Sequence, residues 1–368
     1  MKQVLVLGGY GNFGKRICLA LAKAGIDVIM SGRNEEHALS CLNDIKTKVP
    51  DAKITIEITD INKDLLQLLN RCKPAIVINT VGPFQGSNYD IVKACIDHHV
   101  HYLDLADARD FVTGINQFDN LAKQNNVTII SGASSVPALS SAVVDHFKDK
   151  FSQIILMKYG ISTAQKTANG LATASAILSY LGKPIKPFAG STETVYGWQN
   201  LYCQTYPFLG RRWMASCDVP DLDLLPRRYN IQNIQFSAGV ESTPMHFCMW
   251  LTSWLVRLGL PIDLTRHVSG IQQLSRIFNI GAKNMSGMHV ILDGIDHHNQ
   301  KRQVKWFIIA EYGQGLEIPT IPAIILAKKI LKGTFNTTGA MPCVGLVSLE
   351  EYMDELKDFA IQVFSEES

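Results

Sequence analysis

Three short stretches of the chain carry residues whose types and spacing could do chemistry. The first is Leu7-Gly8-Gly9-Tyr10-Gly11-Asn12-Phe13-Gly14. Glycine loses more conformational freedom on folding than any other residue, so a cluster of it serves geometry. Gly9, Gly11 and Gly14 are spaced as G-x-G-x-x-G, after a predicted strand (Gln3–Leu7) and at the start of a predicted helix (Asn12–Ala24). In that context the pattern reads as a dinucleotide loop. Gly9 allows the tight turn, Gly11 lets the backbone approach a pyrophosphate, and Gly14 lets the helix lie close on the strand. The helix N-terminus turns its free N–H groups toward the phosphates.

The second stretch, Ser31-Gly32-Arg33-Asn34, follows a predicted strand, Asp27–Met30. NAD binders usually place an acidic residue there for the ribose 2′-hydroxyl. Here Ser31, Arg33 and Asn34 occupy the tip, and the guanidinium suits a 2′-phosphate. NADP is therefore expected rather than NAD, unless Glu35 or Glu36 serves from the next helix turn. Asp60, closing the third strand, either lies beside the adenine or caps the following helix. The loop Thr80-Val81-Gly82-Pro83-Phe84 follows the fourth strand and is expected to run along the cofactor.

The third stretch holds Asp104, Asp107 and Arg109, just after the fifth strand. Ligands bind at the carboxyl ends of parallel strands. Asp104 or Asp107 could serve as acid/base and Arg109 could hold a substrate carboxylate. The bland alternative is a local ion pair with turn capping. In Ser131-Gly132-Ala133-Ser134-Ser135, Ser134 could touch the nicotinamide carboxamide, or the stretch announces the helix that starts at Pro137. His98, His99 and His101 suggest helix-end contacts rather than a metal, because adjacent histidines on a helix diverge. His297 and His298 read as hairpin turn. Arg211-Arg212 and Arg227-Arg228 read as solvated faces, with anionic substrate the sharper alternative. No metal site is expected.

The elements that must position these residues alternate regularly over residues 1–131. Six short apolar strands separated by amphipathic helices predict a doubly wound parallel sheet. Beyond residue 150 the strands lengthen: Ile154–Ile161, Ile234–Val240, Met288–Gly294 and Val304–Tyr312, the last two a hairpin. The expected architecture is α/β: a Rossmann domain, residues 1–150, with an inserted α+β domain, 151–334, on a mostly antiparallel sheet. Residues 335–368 return to the first domain, with Leu349–Phe364 as an amphipathic helix.

The 368 residues carry a net charge of +2, and no basic run interleaved with aromatics supports nucleic acid. Eight scattered cysteines without C-x-x-C spacing, and a start that goes straight into a strand, suggest a reducing cytoplasm. The longest apolar stretch, 244–262, contains His246 and Arg257 and is bounded by prolines. It reads as a buried or subunit-contact helix, and membrane contact is not expected. Phe247–Leu258 is apolar nearly all round, which predicts a homodimer through the second domain.

The glycine loop, the Val81–Phe84 loop, HYLDLADARD and SGASSVPALSSAVVD together resemble the saccharopine dehydrogenase NADP-binding family. DVPDLDLLPRR, IQFSAGVE, EIPTIPA and GAMPCVGLVSLEEY resemble its short bacterial members. The resemblance implies a pyridine nucleotide, a small-molecule substrate and an inserted domain that carries substrate and subunit contacts. It also implies hydride transfer at a C–N or C–O centre of an amino-acid-like metabolite. The family's Tyr-x-Asp-x-x-Glu-like segment stands here as Tyr102-Leu103-Asp104-Leu105-Ala106-Asp107, with Asp107 in place of the commoner Glu. A redox sensor that binds NADP(H) without catalysis, and a lipid-associated reductase, are the rival readings.

Overall fold

The computed structural model describes residues 3–165, 175–176, 178–260 and 283–368. The chain divides into two units: Met1–Leu139 with Glu317–Val347, and Ser140–Leu316 with Ser348–Ser368.

In the first unit the six expected strands form as β1 (Val4–Leu7), β2 (Val28–Gly32), β3 (Ile54–Ile58), β4 (Ile76–Asn79), β5 (His101–Asp104) and β6 (Thr128–Ser131). A seventh, Gly339–Pro342 (β13 in chain order), pairs parallel with β6. The sheet order is β13-β6-β5-β4-β1-β2-β3, and every pairing is parallel. Helices α1 (Gly14–Lys23), α2 (Glu35–Lys48), α3 (Ile61–Cys72), α4 (Asp90–Asp97), α5 (Arg109–Gly114) and α6 (Asp119–Gln124) connect the strands. Every residue of β1 and β4 is buried, as a sheet covered on both faces requires. Leu5, Leu7, Ile29 and Val77 join Leu65, Leu68 and Leu69 of α3 in one apolar cluster. Strand order reverses between β1 and β4, which opens a crevice at their carboxyl ends.

The second unit is built on β7 (Gln153–Thr163), β8 (Tyr202–Tyr206), β9 (Gly210–Ser216), β10 (Asn233–Val240), β11 (Ser286–Ile295), β12 (Lys301–Ala310) and β14 (Ile361–Glu367). Their order is β14-β12-β11-β7-β10-β9-β8, and only β7 and β10 run parallel. Asp296 closes the β11–β12 turn by accepting from the His298 and Gln300 amides.

Several expectations need correction. The helix of the C-terminal segment is Leu349–Leu356, held at its start by a capping box of Ser348 and Glu351. The chain then forms β14, which pairs antiparallel with β12 in the second unit. An unpaired β12 edge offers a full row of backbone groups, and Ile361–Glu367 satisfies it. The return to the first unit is therefore Glu317–Val347 and not 335–368, and the second unit begins at Ser140. The helix expected from Pro137 does form: Val136 is extended before the proline, and the helical turn through Leu139 runs on into α7 (Ser140–Phe147). Strands β8 and β9 were not foreseen.

The apolar run forms α9 (Thr243–Arg257), after α8 (Asp221–Tyr229); its last residues, Pro261 and Ile262, lie outside the described residues. It buries His246 and Ser253, and Met245, Met249 and Trp250 pack on the sheet side. Leu251 stays 57% exposed and Leu258 77%, so the helix is not covered on every face. Among the described residues no helix is long and apolar enough to cross a membrane.

Candidate functional site

The glycine turn lies between β1 and α1. Gly8, not Gly9, takes the left-handed backbone, at φ +73°, and its carbonyl accepts from the Gly11 amide at 2.8 Å. A Cβ on Gly9 would press on the Met30 side chain at 2.6 Å, so this glycine seats the loop on β2. A Cβ on Gly14 would overlap the Gly8 carbonyl oxygen and lie 2.7 Å from the Gly9 Cα. A Cβ on Gly11 would meet only the Gly8 carbonyl oxygen, at 3.0 Å, and otherwise project into open space. That open cradle sits before an α1 N-terminus that no side chain caps. Asn12 and Phe13 complete the turn, and the Asn12 carbonyl accepts from Arg16, whose Nε pairs with Glu317 at 2.8 Å. Burial raises the Glu317 pKa from its ordinary value.

Tyr10 reaches across to the tip of β2. Its phenol oxygen accepts from the Arg33 amide at 2.7 Å and from the Asn34 amide at 2.8 Å. Its ring lies on Gly32, where any Cβ would overlap it. The Arg33 side chain is exposed, and the Asn34 side chain caps α2 by accepting from the His37 amide. Ser31 is fully buried and its hydroxyl has no hydrogen-bond partner. The open cradle and the uncapped helix start behind it fit the pyrophosphate of a dinucleotide, and the exposed guanidinium stands at the ribose end of β2. Asp60 accepts from the Asn62 amide and caps α3, the alternative left open for it.

After β4, the Thr80 hydroxyl donates to the Leu7 carbonyl at 2.8 Å and so joins this loop to the glycine turn. Val81 is exposed, and Gly82–Pro83 turns the chain inward. Phe84 departs from its expected place along the cofactor. It is buried against Phe111, which stacks on Tyr89.

The three catalytic candidates separate. Asp104 is wholly buried, and one of its oxygens accepts from the Ala106 amide, the Gly132 amide and the Ser131 hydroxyl. It ties the end of β5 to the Ser131–Ser135 turn that holds Ser134, and burial pushes its pKa up to about 6. It is a structural tie and not an accessible base. Arg109 is 3% exposed at the start of α5, which removes it as an open carboxylate clamp. Asp107 remains partly exposed and accepts from Gln85 Nε2 at 3.1 Å; burial raises its pKa above the ordinary carboxylate value. Gln85 was missed because only the adjacency of β4 and β5 brings it to Asp107.

The second unit holds a polar seam that the sequence reading also missed. His289 is wholly buried; Tyr206 bonds its Nδ1 at 2.8 Å and Tyr202 its Nε2 at 3.3 Å. Burial pushes its pKa down to about 3, which keeps the ring neutral. The Arg211-Arg212 pair splits across the strand. Arg211 is exposed, while Arg212 is nearly buried 3.6 Å from Glu241. Arg227 and Arg228 are solvated. The histidines near β5 make local contacts: His98 with the Ala94 carbonyl, His99 with the Asn125 carbonyl, and His101 with the Thr128 amide. Among the described residues no group of acidic, His and Cys side chains could hold a metal.

Residues 4–130 match the family described as the saccharopine dehydrogenase NADP binding domain. The match is confined to the first domain, about a third of the chain, and includes the glycine turn and the tip of β2. No curated protein matches the sequence. Saccharopine dehydrogenase (L-Glu forming) from Saccharomyces cerevisiae is similar in structure over 100% of both chains, with a TM-score of 0.69 at 14% identity. The amine dehydrogenase of Mycobacterium smegmatis covers 93% of this chain and 95% of its own, with a TM-score of 0.48 at 10% identity. The likeness to the yeast enzyme shows that the two chains share a fold over their whole length.

Proposed function

We propose that this saccharopine dehydrogenase-like chain is an NADP(H)-dependent oxidoreductase acting at a C–N or C–O centre of a small amino-acid-like metabolite. The observation that carries the reading is the tip of β2, where an exposed Arg33 and no carboxylate stand beside an open glycine cradle. Gly8–Gly14, Arg33, Asn34, Thr80–Pro83 and Ser134 form the cofactor surface in this reading, with Ser31 buried beneath it. The nicotinamide, when bound, supplies or takes the hydride. What the chain must add is a proton at the substrate nitrogen or oxygen. Asp107 is the group for it: Gln85 steadies one carboxylate oxygen, and the raised pKa keeps the proton available at higher pH than for a solvated carboxylate. Fluorescence titration is expected to show tighter binding of NADPH than of NADH. Arg33→Ala should narrow the gap by about ten- to a hundredfold, the worth of a charge-assisted contact of roughly 1.5–3 kcal/mol. Equal wild-type affinities would overturn the NADP reading.

We also propose a homodimer through the second unit, in a reducing cytoplasm. The outward row of α9, with Phe247, Leu251, Trp254 and Leu255 all exposed, supports the first, and eight free cysteines support the second. Sedimentation velocity at micromolar concentration should show a dimer that Trp254→Glu weakens by roughly several kcal/mol, the scale of an unpaired buried charge. A monomeric wild type would mean that α9 serves no subunit contact.

A further inference from the structure

The tip of β2 is not simply open. The backbone amides of Arg33 and Asn34 point at a single oxygen, and that oxygen belongs to Tyr10. Two convergent amides beside an exposed guanidinium make a seat for an anionic oxygen. Here a neutral phenol from the glycine turn fills it. The filling is built in: Gly32 has no side chain, and any Cβ there would collide with the Tyr10 ring. The His37 ring meets the Tyr10 ring edge-on, with 6.0 Å between centroids. The tyrosine therefore lies in a fitted groove between two segments that a dinucleotide must touch, the pyrophosphate turn and the ribose end of β2.

We propose that Tyr10 is a specificity-determining residue, an internal occupant of the 2′-phosphate seat that the cofactor must displace. A 2′-phosphate needs the two amides and takes them from the phenol, and the tyrosine then swings off Gly32. A ribose 2′-hydroxyl carries no charge to compete for them and leaves the tyrosine in place. The residue thus lowers the affinity for NADP(H) that Arg33 and the amides would otherwise give, and hardly touches NAD(H). The inference rests on the proposed use of NADP(H) and adds to it which group sets the margin over NAD(H).

The test is Tyr10→Phe, which keeps the ring and removes the two hydrogen bonds. NADPH and adenosine 2′,5′-bisphosphate should bind about five- to a hundredfold more tightly than to wild type, the worth of two neutral hydrogen bonds. NADH and 5′-AMP should change less than about threefold, the scatter of an interaction left in place. Amide NMR of the wild type is the second measurement and needs no variant. Adenosine 2′,5′-bisphosphate should shift the Arg33 and Asn34 amides and release the Tyr10 ring, whereas 5′-AMP should do neither. A loss of NADPH affinity in Tyr10→Phe would make the phenol a ligand or brace and overturn the inference, as would an unchanged NADPH-to-NADH ratio. Failure of both chains to bind either nucleotide would instead strike the proposed function, and this inference with it.

Discussion

The two sheets solve the same problem of burial in opposite ways. The first unit fills both faces of its parallel sheet with short apolar strands such as Val4–Leu7 and keeps its polar groups at the carboxyl ends. The second unit buries polar groups in its interior: in its sheet His289 between two tyrosines and Arg212 beside Glu241, and between the starts of α7 and α8 Asp221 bonded by Ser140. Buried polar groups are tolerated only when partnered, so each such contact is a point where one substitution does disproportionate harm. The first unit should tolerate changes of shape poorly, and the second changes of charge.

The sharpest way to break this contrast is Glu241→Leu. The carboxylate faces Arg212 and accepts from the Gln165 and Lys283 amides, so its loss strands a cation and two donors. The second unit should lose about 3–5 kcal/mol in urea unfolding, and Arg212→Met in the same chain should restore much of it. A loss below about 1 kcal/mol, the scale of a solvated pair, would mean that water reaches the seam.

The pH dependence of the second unit comes next. Asp221 is wholly buried, and burial pushes its pKa from 3.8 up to about 7. A carboxyl raised in the folded state contributes stability that is full below the unfolded value and lost as pH rises through the folded one. The wild type should therefore weaken between about pH 4 and pH 8, by up to about 4 kcal/mol from this group. Asp221→Asn should flatten that slope. Parallel pH profiles for the two proteins would place the ionised carboxylate in a better-solvated setting than the fold provides.

The smallest expected effect tests shape in the first unit. Gly14→Ala puts a methyl group against the Gly8 carbonyl and the Gly9 Cα, which are backbone and cannot swing away. Thermal unfolding of the first unit should be lowered by about 1–3 kcal/mol, the usual cost of overpacking. An unchanged melting temperature would show that the turn relaxes without loss.

The parallel sheet was legible because its signals are local. Each strand is a short apolar run, each connection a helix, and the glycine spacing sits where a strand ends. The separation of Asp104, Asp107 and Arg109 was not legible. All three follow β5, yet which carboxylate faces out depends on Gly132 and Ser131 from β6 and on Gln85 from the β4 loop. Those contacts depend on strand order and not on spacing. Phe84 shows the same limit: the strand before it was legible, but the choice between cleft and core was made by Phe111. In the second unit the alternation that buries Arg212 and exposes Arg211 was readable only once β9 was known to be a strand.

The chain passes from one unit to the other three times, after Leu139, Leu316 and Val347. The first unit is therefore not a contiguous stretch that can be cut free at residue 139. Such a fragment would lack Gly339–Pro342, the strand that pairs with β6. It would bare the backbone of Thr128–Ser131, whose residues are almost wholly buried in the intact chain. An apolar, uncharged strand edge of that kind recruits a second chain in place of its missing neighbour. Aggregation on proteolytic nicking, and not release of a working nucleotide-binding module, is what this interleaved order of segments entails.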